Sequence, residues 1–301
     1  MKQKLSVVIS SYNEEKKITD CLESVKWADE IIFVDNFSTD KTVEIAKKYT
    51  SKIFVKPNNL MLNVNKNFGF SKAQGEWILS LDSDERITAE LSKEIKSKIE
   101  GNSKFQGYWI PRKNIIFGKW IQHGGWYPDY QLRLFKKGFG KFPQQHVHEM
   151  VKLTGVSGKL VEPITHYNYE TIDQFLIKLS TIYTSNEAAQ LIKNGYVFSY
   201  LDAISFPTKE FLSRFFAREG YKDGLHGLML SLLMAFYHFI VFAKIWEKKK
   251  FISVDEDIVE GVSEEFGKNE KDLKYWFLKI KTGRSKNPLR KLYLKLGNKL
   301  K

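Results

Sequence analysis

The first third of the chain alternates short apolar runs with helix-period segments, and this constrains the fold more than any other feature. Residues 5–10 read Leu-Ser-Val-Val-Ile-Ser, a β-branched run of the kind found in strands covered on both faces. A polar turn over 11–15 follows, then a helical pattern through Ile18, Leu22 and Val25. Residues 30–35 predict a second buried strand, 42–49 a helix, 51–56 a third strand, 64–74 a helix and 76–81 a fourth strand. Strands and helices in this order mean βαβ units with a mainly parallel sheet, hence an α/β fold. Three of the four strands run into polar clusters, at 10–15, 35–40 and 82–85. Open sheets of this class bind ligands beyond the carboxyl ends of their strands.

The cluster Asp82-Ser83-Asp84 sets two carboxylates two residues apart at a strand end. Hard cations such as Mg²⁺ or Mn²⁺ take oxygen ligands and leave positions open for water and phosphate. The expected metal ligands are therefore Asp82 and Asp84, with the metal offsetting charge on a departing diphosphate. A solvated acidic turn capping the next helix is the plainer alternative. The buried strand ahead of the pair and the matching acid at Asp35 favour the metal.

Four segments then carry a resemblance: Ser-Tyr-Asn-Glu-Glu (11–15), Val-Asp-Asn-Phe-Ser-Thr-Asp-Lys-Thr (34–42), Asn-Lys-Asn-Phe-Gly (65–69) and Gly-Glu-Trp-Ile-Leu-Ser-Leu-Asp-Ser-Asp-Glu (75–85). In order and spacing the chain resembles the family 2 glycosyltransferases of GT-A fold. Pro-Asp-Tyr-Gln-Leu-Arg-Leu-Phe (128–135) and His-Val-His-Glu (146–149) are similar to the branch that builds lipopolysaccharide core, which includes β-1,4-glucosyltransferase-like enzymes. The resemblance implies inverting, metal-dependent transfer of a hexose from a UDP-sugar, with UDP-glucose as the working donor, onto a glycan or lipid-linked acceptor. It further implies that Tyr12 and Asp35 hold the base, Glu14 adds to the donor site, and Lys66 lies near the base or diphosphate. Asp82 would face the ribose or the metal, and Asp84 would ligate the metal. Where the family often has Pro before Tyr12, this chain has Ser11.

Inverting transfer needs a base for the acceptor hydroxyl. The resemblance points to an acid following the Arg-containing strand, first Glu149 and second Asp129. His146 and His148 are candidates for a further metal ligand. His148-Glu149 is not a zinc-protease motif, because position 152 is Lys152. Competing readings are a nucleotidyltransferase and a non-catalytic membrane-surface module. The Gly-rich basic phosphate loop of the former is missing after the first strand, where the turn is acidic.

Beyond residue 170 the pattern is helical. Residues 225–243 form a 19-residue stretch without a charged side chain, just under the length that spans a bilayer. Aromatic and basic residues mix over 206–221, and the formal net charge of +13 concentrates at the end, with eleven Lys or Arg against one acid over 271–301. These features predict contact with the cytoplasmic face of the inner membrane and no nucleic-acid partner. An oligomer stays open. The first ten residues lack the apolar run of a signal peptide, so export is not expected. One cysteine, Cys21, excludes an internal disulfide. The expected organisation is a transferase domain over 1–170, a helical, membrane-associating region over 171–250 and a basic tail over 251–301.

Overall fold

A computed structural model describes residues 3–57, 62–101, 103–144 and 150–284. They form two compact units: residues 1–120 with 126–168, and residues 121–125 with 169–301.

The first unit is built on one mixed sheet. Strands β1 (Leu5–Ser11), β2 (Glu30–Asp35), β3 (Ile53–Val55) and β4 (Trp77–Asp82) lie in the order β3-β2-β1-β4, all parallel. Helices α1 (Ile18–Ser24), α2 (Thr42–Ala46) and α3 (Leu62–Lys72) make the crossovers. The parallel half is the expected α/β frame. Beyond β4 the sheet adds β8 (Asp129–Lys136) and β6 (Gly107–Ile116) antiparallel, then β12 (Ile164–Tyr169) next to β6 and β5 (Glu85–Arg86) antiparallel to β12. Strands β7 (Lys119–Trp120) and β11 (Ser157–Lys159) pair with β6, and β9 (Gly140–Lys141) and β10 (Lys152–Leu153) form a separate two-stranded ribbon.

The near-continuous apolar runs of β1, β2 and β4 follow from burial on both faces. Val7, Ile9, Phe33, Leu79 and Leu81 pack into one core with Ile18 and Leu22 of α1 and with Leu91 and Ile95 of α4 (Ala89–Glu100). The intervening Val8, Ile32, Val34 and Ile78 face the other way, onto Phe70 of α3 and Ala73 just past its end. Helix α4 starts where Thr88 caps it, its Oγ1 accepting the Leu91 N–H at 3.1 Å.

Helix α3 lies hard against the sheet at Gly69. A Cβ there would fall well inside van der Waals contact distance of Val8 Cγ1 and stand 3.1 Å from Val34 Cγ2. Both neighbours are β-branched, in a strand with no slack, so the helix itself would have to lift. Gly69→Ala is expected to destabilise the protein by about 1–3 kcal/mol, the usual cost of overpacking, read as a lowered thermal midpoint. An unchanged midpoint would show that the helix gives way freely.

The second unit is helical. It contains α5 (Ile172–Lys178), α6 (Thr184–Lys193), α7 (Asp202–Phe211), α8 (Leu225–Lys248) and α9 (Ile258–Arg284). Single π-helical turns at Leu179–Tyr183 and Leu212–Ala217 continue α5 and α7. Val241 and Ile245 of α8 pack with Ala188 of α6, flanked by Phe206 of α7. Helix α8 is the one described helix long and apolar enough to cross a bilayer by length and composition. Residues 258–284, within the segment read from its charge as a tail, form a 27-residue helix. Acids lie toward its start and bases toward its end, as the helix dipole favours, and Glu270 pairs with Lys274 at 2.6 Å one turn on. Residues 285–301 lie outside the described residues.

Candidate active site

Sheet register brings the three polar clusters together. Ser11 lies opposite Asp35 and Ser10 opposite Asp82, so the carboxyl ends of β2, β1 and β4 stand side by side. Each strand is buried almost to its last residue, and the charged residues come where its chain leaves the core.

At the β2 end, Asp35 is 1% exposed. Its Oδ2 accepts the Ser38 N–H at 3.0 Å, while Oδ1 is buried without a hydrogen-bond partner among the described residues. A buried carboxylate oxygen left unpaired costs free energy, which a ligand N–H would recover. Beside it, Asn36 Nδ2 donates to Ser10 Oγ at 3.0 Å and to the Ser11 carbonyl at 2.8 Å, and its Oδ1 accepts from Asn65 Nδ2. The two turns are laced together: Asn13 Oδ1 accepts the Thr39 N–H at 2.8 Å, and the Glu14 N–H donates to Thr42 Oγ1, also at 2.8 Å. Tyr12 and Phe37 present exposed rings on these turns, and Phe37 holds a φ of +64°. Left-handed backbone at a bulky residue is uncommon and marks a turn held by its surroundings.

At the β4 end, both oxygens of Asp82 hold cations. Oδ1 pairs with Lys66 Nζ at 2.6 Å and Oδ2 with Arg133 Nη2 at 2.5 Å. Burial alone would raise this carboxyl's pKa, but Arg133 and Lys66 outweigh it and hold the group well below the usual range. The same Arg133 nitrogen reaches Glu85 Oε1 at 2.7 Å. Glu85 is fully buried, and its Oε2 accepts the Asp82 N–H at 3.0 Å. The guanidinium thus sits between two carboxylates, and all three groups are fixed.

Asp84 faces a histidine. His166 Nε2 lies 3.5 Å from Asp84 Oδ2, carried there by the β5–β12 pairing that sets His166 opposite Glu85. Asn114 determines which ring nitrogen holds the proton. Its Nδ2 donates to the Trp126 carbonyl at 2.8 Å and to Asp129 Oδ2 at 3.3 Å, so its Oδ1 turns to His166 Nδ1 at 2.7 Å. Nδ1 then donates, and the lone pair of Nε2 points at a carboxylate oxygen. Two acceptors so placed are suited to a cation between them, and the Asn114 contact is the outer-shell support that metal-binding histidines ordinarily have. Asp84 and His166 supply two donors; no group of three or more His, Cys, Asp or Glu side chains able to hold a metal occurs among the described residues. The set therefore fits a hard cation that takes the rest of its ligands from water and phosphate.

Of the two acids considered as base, Asp129 is engaged. Arg112 reaches its Oδ2 through Nε at 2.8 Å and Nη2 at 2.5 Å, and Gln131 Nε2 donates to Oδ1 at 2.9 Å. Burial would raise its pKa, but Arg112 and the hydrogen bonds from Gln131 and Asn114 lower it on balance, which weakens it as a base. Glu149, with His146 and His148, lies outside the described residues.

Sequence reasoning named Asp35, Lys66, Asp82 and Asp84, and the fold brings them to one edge of the sheet. It missed Glu85, Arg112, Asn114, Arg133 and His166. The alternating Ile164, His166 pattern could have marked a strand, but nothing local tells which strand it meets.

Residues 6–152 match Glycosyl transferase family 2. Over 257 residues the chain is 32% identical to the glycosyltransferase RT0209 of Rickettsia typhi, covering 81% of this chain and 87% of that protein. It is 25% identical over 252 residues to the lipopolysaccharide core biosynthesis glycosyltransferase LpsC of Rhizobium meliloti, covering 81% and 92%. Among solved structures it is similar to Staphylococcus aureus TarS 1–349, at 18% identity and a TM-score of 0.42, covering 86% and 95%. With strand ends, acids and relatives in agreement, the chain belongs to glycosyltransferase family 2 and is a glycosyltransferase.

Proposed function

We propose that this glycosyltransferase moves a hexose, with inversion, from a UDP-sugar to a lipopolysaccharide core or other lipid-linked glycan in a metal-dependent reaction. The observation that carries the reading is the Asp84–His166 pair, 3.5 Å apart and supported by Asn114, on the same sheet edge as the unpaired Asp35 oxygen. Asp35 Oδ1 would accept the uracil N–H, with Tyr12 against the base and Glu14 in the turn beside it. Asp84 and His166 would ligate Mg²⁺ or Mn²⁺. When bound, the cation offsets negative charge on the leaving diphosphate. Asp82 then serves through its two cations: Lys66 would exchange its carboxylate for a phosphate, and Arg133 would keep the β4 end in place.

For the proton, Glu149 is the base in this reading, because Arg112 and Gln131 occupy the oxygens of Asp129 and lower its basicity. The acceptor oxygen attacks the anomeric carbon, the bond to the β-phosphate oxygen breaks, and the electron pair leaves on UDP. The hydroxyl proton passes to the Glu149 carboxylate. A lipid-linked acceptor would place the enzyme at the cytoplasmic face of the inner membrane. The relative LpsC bears a lipopolysaccharide name, and it supports this acceptor class.

Release of UDP from a panel of UDP-sugars, with and without Mn²⁺, tests the donor and the metal together. The expected result is turnover of one UDP-hexose that stops when the metal is chelated. Turnover undiminished by chelation would remove the metal from the reading, and release of another nucleotide would remove UDP.

A further inference from the structure

Helix α8 turns its apolar stripe outward. Leu225, Met229, Leu232, Phe236, Phe239 and Trp246 are each at least 40% exposed. They recur at intervals of four, three, four, three and then seven residues, so they form one line along a helix of 24 residues, about 32 Å from first to last. Its inward face carries Leu230, Ala235, Val241, Phe242 and Ile245, and two of its polar groups reach neighbours within the unit. Tyr237 Oη donates to Glu187 Oε2 of α6 at 2.5 Å, and His238 Nε2 lies 3.7 Å from Glu210 Oε2 of α7. A helix packed in a water-soluble bundle normally has a polar outer face, whereas this one is apolar on both sides.

We propose that this stripe docks in the plane of an anionic membrane surface. Charge identifies the occupant. Lys248, Lys249 and Lys250 cluster at the carboxyl end of the stripe, just past the Lys244–Glu247 pair at 3.0 Å, and the chain carries a formal net charge of +13. A second copy would bring the same positive charge to the contact, whereas anionic headgroups complement it. Trp246 is suited to the headgroup boundary: its Nε1 donates to the Ile252 carbonyl at 3.0 Å while its ring stays exposed. Spanning is disfavoured by the neighbours that α8 carries, because crossing would take Glu187, Glu210 and Arg214 into hydrocarbon with it. An in-plane helix immerses only the outer face, to about 5–10 Å.

This surface deepens the membrane-face part of the reading above. Binding is measured without turnover, so its failure leaves the transfer chemistry standing. The test is co-sedimentation of the full chain with vesicles of phosphatidylcholine alone and with phosphatidylglycerol added, comparing wild type with Leu232→Gln/Phe236→Gln/Phe239→Gln. The wild type is expected to prefer the anionic vesicles, and the triple variant to bind them at least ~10-fold more weakly. The substituted side chains are exposed, so thermal unfolding should stay put and certify the fold. A Lys248→Gln/Lys249→Gln/Lys250→Gln variant should lose the preference for anionic lipid. Undiminished binding by the Gln triple variant would overturn the proposal and leave binding to the basic end of the chain. So would a wild type that ignores vesicles but sediments as a dimer that the same substitutions dissociate.

Discussion

Asp84→Ala is expected to lower sugar transfer by about 10³-fold, the upper range for losing one group that positions transition-state charge stabilisation. His166→Ala should cost less, about 10–100-fold, and the loss should lie in the metal requirement. The asymmetry follows from charge: Asp84 contributes an anionic oxygen, His166 a neutral nitrogen oriented by Asn114 at 2.7 Å. The measurement is initial rate against Mn²⁺ concentration, beside direct Mn²⁺ binding by titration calorimetry in the presence of UDP. A His166→Ala curve that reaches wild-type rate at higher Mn²⁺ supports ligation. An Asp84→Ala enzyme with wild-type rate and metal dependence would falsify the assignment of the pair.

Arg133→Met should have the largest effect on stability. It leaves Glu85, fully buried, and Asp82 without the guanidinium that both share. Breaking a buried ion pair from one side typically costs about 3–5 kcal/mol, because the stranded charge stays in a poor solvent. In a protein of this size that is a fall in thermal midpoint of about 10 °C. Adding Glu85→Gln should recover part of it, since the amide is neutral and its oxygen can still accept the Asp82 N–H. The acid branch has a definite sign. The carboxyls of Asp82 and Asp129 titrate lower in the folded chain than in the unfolded one. Their stabilisation is therefore complete above the unfolded value of about 4 and is lost as pH falls through the lower folded values. The gap between wild type and Arg133→Met should be widest at pH 7 and shrink as pH falls toward and below about 4, because the carboxylates stranded in the variant take up protons first. Thermal unfolding across this range checks both statements, and a midpoint shift of only a degree or two at pH 7 would overturn the first.

These variants probe the part of the site that was hardest to see in the sequence. Asp35, Asp82 and Asp84 were legible because each ends, or directly follows, an apolar strand that burial forces into the sheet centre. Lys66 was legible only by family resemblance, and its ion pair with Asp82 depends on α3 packing over Val8 and Val34. Arg133 sits in a recognisable strand, yet the antiparallel addition of β8 to β4 is what turns it onto Asp82 and Glu85. His166 had no marker at all. The histidines singled out were His146 and His148, which fall outside the described residues, while the one facing Asp84 arrives on β12. The helix at 258–284 was obscured in the same way, by reading charge along the chain rather than around a helix.

Residue order by itself determined the parallel half of the sheet, since β-branched runs buried on both faces and joined by short helices have few other packings. It also determined the acidic strand ends and the uncharged stretch that becomes α8. The tertiary structure alone decided which cations neutralise Asp82, which histidine meets Asp84 and which face of α8 is left uncovered. The physical reason is range. Periodicity and burial act over neighbouring residues, whereas antiparallel register and helix-on-helix packing join residues far apart in the chain. Those choices are settled by the whole core at once, and no short segment carries their record.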